Sequence, residues 1–270
     1  ATAFPCSKIA LQHVDSLTLS VARVVGGAML MLIIGVARGL HIPTSWREWG
    51  LYIILGMTGN FVYQVVFNQG LLTIPAATSS IIMALTPMTT ALMALVVYKD
   101  FMRPIGWLFT ITAFAGVAII ILWKGPINVP MGAFWTLFGM ILFAIYNIVN
   151  RGLSLKGHDS ITVATWSMFT GAIMALPFVS QSVATIAAAP PIAWLAIIYL
   201  ACFSSALGFV FWSYALEHAE HVSDVTNFMY LSPLVAAIVA AILIGEIPDL
   251  GLYIGAPIIL CSLYMFNKCR

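Results

Sequence analysis

Apolar residues run along this chain in blocks of about twenty, separated by short clusters of proline, glycine and charged residues. The blocks predict ten helices, over about 1–12, 18–37, 48–69, 75–98, 104–123, 131–151, 160–180, 191–216, 222–244 and 250–267. Runs of this length fit membrane-spanning helices, since the strands of a membrane barrel are ~10 residues long and alternate in polarity. The sequence opens inside an apolar run without an initiator methionine, which predicts that part of helix 1 lies upstream; no cleavable signal peptide is read there.

The pattern repeats. Asn68 to Asp100 is an apolar helix with a proline at its middle and an acidic residue at its end, and Tyr214 to Glu246 has the same layout. Pro87 and Pro233 stand 146 residues apart, as do Asp100 and Glu246, and Asp15-Ser16-Leu17-Thr18 returns as Asp159-Ser160-Ile161-Thr162. The chain is therefore read as two five-helix repeats, residues 1–124 and 125–270.

Composition names the solvent. With 62% apolar residues, 7% charged residues and a mean hydropathy of +1.04, the chain has too few charges for a water-facing surface, so the fold class expected is an all-α polytopic membrane protein. A net charge of +2 without a basic cluster excludes a nucleic-acid partner, and the four cysteines have neither paired nor metal-ligand spacing. If the N-terminus is cytoplasmic, the inner segments hold Arg38, Arg47, Lys99, Arg103, Arg151, Lys156, Lys268 and Arg270, against Lys124 outside. An odd number of helices per repeat then inverts the second repeat relative to the first, and in secondary transporters with this plan the substrate site lies at the repeat interface near the midplane.

Phe4-Pro5-x-x-Lys8, Ala22-Arg23, the Asn68 to Ala77 segment, Thr86-Pro87, and Leu231-Ser232-Pro233 leading to Gly245-Glu246 resemble the drug/metabolite transporter superfamily, and within it the EamA-type ten-helix members. The resemblance spans nearly the whole chain; Lys99-Asp100 departs from the Gly-Glu that usually ends helix 4. It implies a carrier that exports amino acids, other metabolites or drugs across a bacterial cytoplasmic membrane with both termini inside.

Pro87 and Pro233 are the hinge candidates, because a mid-helix proline frees the carbonyl four residues back, here those of Met83 and Met229. That carbonyl needs a partner in lipid, either substrate and water in a cavity or the adjacent Thr86 and Ser232 hydroxyls. Polar residues within the helices are expected to face the interior. Asn60, Gln64 and Asn68 form a stripe on helix 3; Ser79, Met83 and Thr86 lie on helix 4, and Tyr146 and Asn147 on helix 6. Trp166 follows on helix 7, Trp212 on helix 8, and Asn227, Tyr230 and Ser232 on helix 9. These residues, with Lys8, are the expected substrate cavity; interhelical hydrogen bonding is the alternative for any one of them. Lys8 is read as a candidate for a substrate carboxylate. Arg23 is read as snorkelling outward, towards Asp15.

Glu217, His218, Glu220, His221 and Asp224 form an inner loop read as a titrating surface patch rather than a metal site, and Glu246 and Asp249 end helix 9, where a coupling proton can bind. No nucleophile–base set, phosphate loop or cofactor motif is visible, so neither an enzyme nor a cofactor is expected. The leading reading is a secondary carrier whose partners are a small metabolite, such as an amino acid, and the lipid bilayer. The alternatives are a drug or quaternary-amine carrier, for which a midplane carboxylate is expected, and a non-transporting receptor or scaffold with a packed centre. Oligomeric state is not legible in the sequence.

Overall fold

The computed structural model describes residues 2–98, 104–123, 130–219, 222–226, 229, 232–246 and 250–269. Their regular structure is all helix, joined by short turns, with no strand among the described residues. Among the described residues six helices are long and apolar enough to cross a bilayer: α2 (Ser16–Ala37), α3 (Trp46–Leu71), α4 (Ala76–Val97), α6 (Met131–Ser154), α7 (Ser160–Ala187) and α8 (Pro191–His218). Shorter helices complete the bundle: α1 (Ala3–Leu11), α5 (Pro104–Leu122), two pieces of α9 (Val222–Thr226 and Ser232–Ile244) and α10 (Leu250–Cys269).

Burial is inverted relative to a soluble protein. Ile33, Val96 and Ile111 are 69%, 81% and 65% exposed, whereas Asn68, Ser79, Thr86 and Asn147 are at 0%. Apolar side chains outside and amides and hydroxyls inside are what a hydrocarbon solvent demands. The repeated Asp-Ser-x-Thr segments do the same local work. The Asp15 carboxylate accepts from Thr18 N–H at 2.9 Å and caps α2, and Asp159 accepts from Thr162 N–H at 3.0 Å and caps α7.

Glycine lets the helices approach closely. A Cβ on Gly59 would lie 2.1 Å from the Tyr146 ring, one on Gly132 2.4 Å from the Gly70 carbonyl, and one on Gly255 2.7 Å from the Gly116 carbonyl. These contacts join α3 to α6 and α5 to α10 through small residues, as lipid-embedded helices do.

Several helices are interrupted within their length. A π turn at Gly56–Asn60 interrupts α3, and another at Leu200–Leu207 interrupts α8, about 146 residues on. Another is α4, expected as one helix over 75–98, which is two: α4a (Ala76–Met83) and α4b (Thr86–Tyr98), separated by Ala84 and Leu85. Pro87 has no N–H for the Met83 carbonyl, and the Thr86 hydroxyl donates to that carbonyl instead at 2.6 Å. Proline suits the first turn of a helix, so it starts α4b rather than bending one continuous rod. Pro233 likewise follows Ser232 at the start of the second piece of α9. Helix 7, expected to end near 180, continues to Ala187 through a 3₁₀ turn at Leu176–Phe178 that accommodates Pro177.

Candidate functional site

A cavity of about 230 Å³ lies at the centre of the bundle. Phe4, Tyr63, Ser80, Met83 and Ala84 line it from the first half of the chain; Phe143, Ser204, Gly208, Phe209, Trp212, Met229 and Ser232 line it from the second. Both half-helices that begin beside proline, at Thr86 and at Ser232, start at this wall. Their N-terminal ends carry partial positive charge.

One side of the cavity is aromatic. Phe143 stacks on Tyr63 at 5.1 Å and on Tyr146 at 5.5 Å between centroids, and the Trp212 ring lies 5.8 Å from Phe143. Polar groups behind this wall fix its orientation. Trp212 Nε1 donates to Asn147 Oδ1 at 2.9 Å, and Asn150 Nδ2 donates to the Tyr146 hydroxyl at 2.9 Å and to Ser213 Oγ at 3.0 Å.

The residues expected at the cavity divide into three groups. Met83, Trp212 and Ser232 line it, with Thr86 adjoining and Tyr146 and Asn147 buttressing the wall. Asn60, Gln64 and Asn68 are all buried: Asn68 Nδ2 donates to Ser20 Oγ on α2 at 2.9 Å, Asn60 packs against Gly171 on α7, and Gln64 Oε1 has no partner among the described residues. The α3 residue at the cavity is Tyr63, which sequence reasoning missed. Trp166 points to the end of the bundle that holds Arg151 and donates to the His41 carbonyl at 2.7 Å. Ser79 is fully buried in α4a, its hydroxyl without a partner among the described residues. Asn227 and Tyr230 lie outside the described residues, as do Asp100, Glu220, His221 and Asp249.

Lys8 is not free to meet a ligand. Its ammonium pairs with the Glu246 carboxylate and donates to the Ile74 carbonyl at 3.0 Å. The other Glu246 oxygen accepts from Ala76 N–H at 2.8 Å. Pro75, at the N-cap of α4a, has no side chain to cap with, so Glu246 supplies the cap from another helix. One carboxylate thus ties α1, α4a and the end of α9 together above the cavity. At the opposite end Arg151 donates to the Leu216 carbonyl at 2.6 Å, and Glu217 accepts from Ser160 N–H at 2.9 Å, joining α6, α7 and α8.

Arg23 corrects the snorkelling expectation. It is 3% exposed and turns inward, because Ser16, Ser20 and Arg23 share the inner face of α2. Its Nη1 donates to Ser7 Oγ at 3.1 Å, Nη2 to Ser204 Oγ at 3.4 Å and Nε to Ser205 Oγ at 3.4 Å. Asp15, the partner expected for it, is already engaged by Thr18.

A larger groove of about 480 Å³ between α2, α7 and α8 is apolar, and its Met29, Val183, Trp194 and Ile198 are 59%, 56%, 41% and 51% exposed. It faces the bilayer, and the central cavity, lined by rings and hydroxyls from both halves of the chain, is the functional candidate.

A multi-pass helical bundle with a partly polar central cavity and a helix broken beside Pro87 fits a membrane transport protein. The sequence profile of the EamA-like transporter family matches residues 1–122 and 130–268, and the chain belongs to that family. Among curated proteins it is 28% identical over 268 residues to a probable terminal-alkyne amino-acid exporter of Streptantibioticus cattleyicolor, covering 99% of this chain and 89% of that one. It is 29% identical over 274 residues to an uncharacterized transporter of Archaeoglobus fulgidus, covering 98% and 92%. A chain of a solved crystal structure superposes with a TM-score of 0.65 over 100% of this chain and 99% of its own, at 18% identity, which shows a common fold.

Proposed function

We propose that this transporter exports a small metabolite, of the amino-acid class, from a bacterial cytoplasm by alternating access. The central cavity carries the reading: it is drawn from both halves of the chain and lined by rings and hydroxyls, which suits a small solute with an apolar side chain. Its volume of about 230 Å³ falls below the roughly 300–1,000 Å³ typical of drug-sized sites, and no acidic side chain appears in the described lining, so efflux of drugs or quaternary amines is disfavoured. The amino-acid exporter among the relatives supports the substrate class.

In this reading residues 1–124 and 125–270 are inverted repeats that rock about the cavity, with α4 and α9 bending at Pro87 and Pro233. The bias of basic residues makes the Arg151 end cytoplasmic, so Lys8 and Glu246 close the outer side. Glu246 is the carboxylate of that closure, and a proton carried there is the candidate coupling ion.

Counterflow in proteoliposomes tests the proposal. Vesicles loaded with unlabelled neutral, aromatic or basic amino acids are followed for uptake of the labelled partner. Exchange within one class supports the reading, and silence across all classes with folded protein refutes it.

A further inference from the structure

We propose that Arg23 is the anion subsite of the central cavity, receiving the carboxylate of a substrate whose apolar side chain lies against Tyr63, Phe143 and Trp212. The inference rests on the reading of that cavity as the transport site.

Arg23 is a guanidinium inside a lipid-embedded bundle, where a charge is costly without an opposite charge or water. Among the described residues it has no carboxylate partner; the ion pair they contain is Lys8–Glu246. Its three contacts are neutral serine hydroxyls at 3.1, 3.4 and 3.4 Å, at or beyond the long end of ordinary N–H···O bonds. Five N–H donors are present in the fork, so unused donor capacity remains.

The cation communicates with the cavity through one residue. Ser204 accepts from Arg23 Nη2 and lines the cavity, and a hydroxyl that accepts from a cation can donate its own proton to a carboxylate. Ser204 and Ser205 both sit in the π turn of α8, an irregularity frequent at functional sites. The half-helix N-terminus at Thr86, beside Met83 and Ala84 of the lining, adds positive potential at the same cavity. Lys8, the other cation within the helices of this region, is neutralised by Glu246. The ligand class is therefore a small monocarboxylate with an apolar tail, including neutral α-amino acids.

The test is equilibrium binding to purified transporter in lipid nanodiscs. The probes are leucine, phenylalanine and norvaline, each paired with its carboxamide. Wild type is expected to bind the acids roughly 10- to 100-fold more tightly than the amides, the range for a charge-assisted pair. Arg23→Gln brings acid affinity down to that of the amides and leaves the amides unchanged, and Arg23→Lys restores part of the preference. Equal binding of acids and amides to wild type, no acid binding, or a parallel loss of both in Arg23→Gln overturns the inference. If Arg23→Gln does not fold, the wild-type acid-to-amide ratio and Arg23→Lys decide. Counterflow on the same preparation separates the two readings: acid binding without exchange refutes transport and keeps the subsite, whereas exchange of amides or amines without an acid preference refutes the subsite and keeps transport.

Discussion

Replacing Glu246 by glutamine should loosen the closure above the cavity by a calculable amount. Lys8 and Glu246 are 23% and 21% exposed, between a solvated pair, worth up to ~1 kcal/mol, and a buried pair, whose breakage costs about 3–5 kcal/mol. A value of about 2 kcal/mol follows for removing the charge. Glutamine retains an oxygen for Ala76 N–H, so the cap on α4a survives; alanine loses it too and adds about 1 kcal/mol. If the pair forms only when this side is closed, about 2 kcal/mol shifts the equilibrium towards opening by roughly 30-fold. Ser80→Cys in the cavity wall, in a cysteine-free background, reports the open population through its rate of labelling by an impermeant maleimide applied from the Glu246 side. Glu246→Gln and Lys8→Met should each raise that rate about 30-fold, and the double variant should go no further, because the two act on one interaction. Unchanged labelling, or additive effects in the double variant, would refute the closure.

Thr86→Val should destabilise the protein by about 1–3 kcal/mol, since it strands the Met83 carbonyl, and a denaturation midpoint equal to wild type would show the bond to be dispensable. Pro87→Ala returns an N–H to α4 and should slow exchange without lowering the amount of folded protein; full exchange rates in vesicles would remove the hinge. Gly56→Ala puts a Cβ 2.3 Å from Thr170 Oγ1 and 2.6 Å from the Gly171 backbone nitrogen, so a loss of about 1–3 kcal/mol or failure to fold is expected, read by monodispersity after extraction. For Asp15, burial raises the carboxyl pKa, but the bonds from the Thr18 hydroxyl and backbone N–H groups outweigh it and hold the group below the usual carboxylate range. Its stabilisation is then present above the ordinary value of 3.8 and lost as pH falls through the lower folded value, so wild type should lose thermal stability in acid more steeply than Asp15→Asn.

The apolar blocks alone were enough for an all-helical membrane fold, because a chain with 7% charged residues has no other way to satisfy its backbone than in helices within lipid. Local chemistry was legible in part. Thr86 beside Pro87 takes the freed carbonyl, one of the partners expected for it, an interaction that spans only three residues; the Asp15 and Asp159 caps span three as well, but the repeated Asp-Ser-x-Thr segments were read only as a repeat. The cavity was less accessible to such reading. Polarity marked Asn60, Gln64 and Asn68 as inward, but inward has several directions in a bundle, and only packing directed Asn68 to α2 and Asn60 to α7 and left Tyr63 at the cavity. Phe143 and Phe209 carried no contrast against an apolar chain. The fates of the two helix-borne cations depended on residues far away in sequence: Lys8 meets Glu246 across 238 residues, and Arg23 meets Ser204 across 181. Sequence position set how deep each cation lies along its helix, and the tertiary fold alone decided that one is neutralised by a carboxylate while the other is left among hydroxyls at the cavity wall.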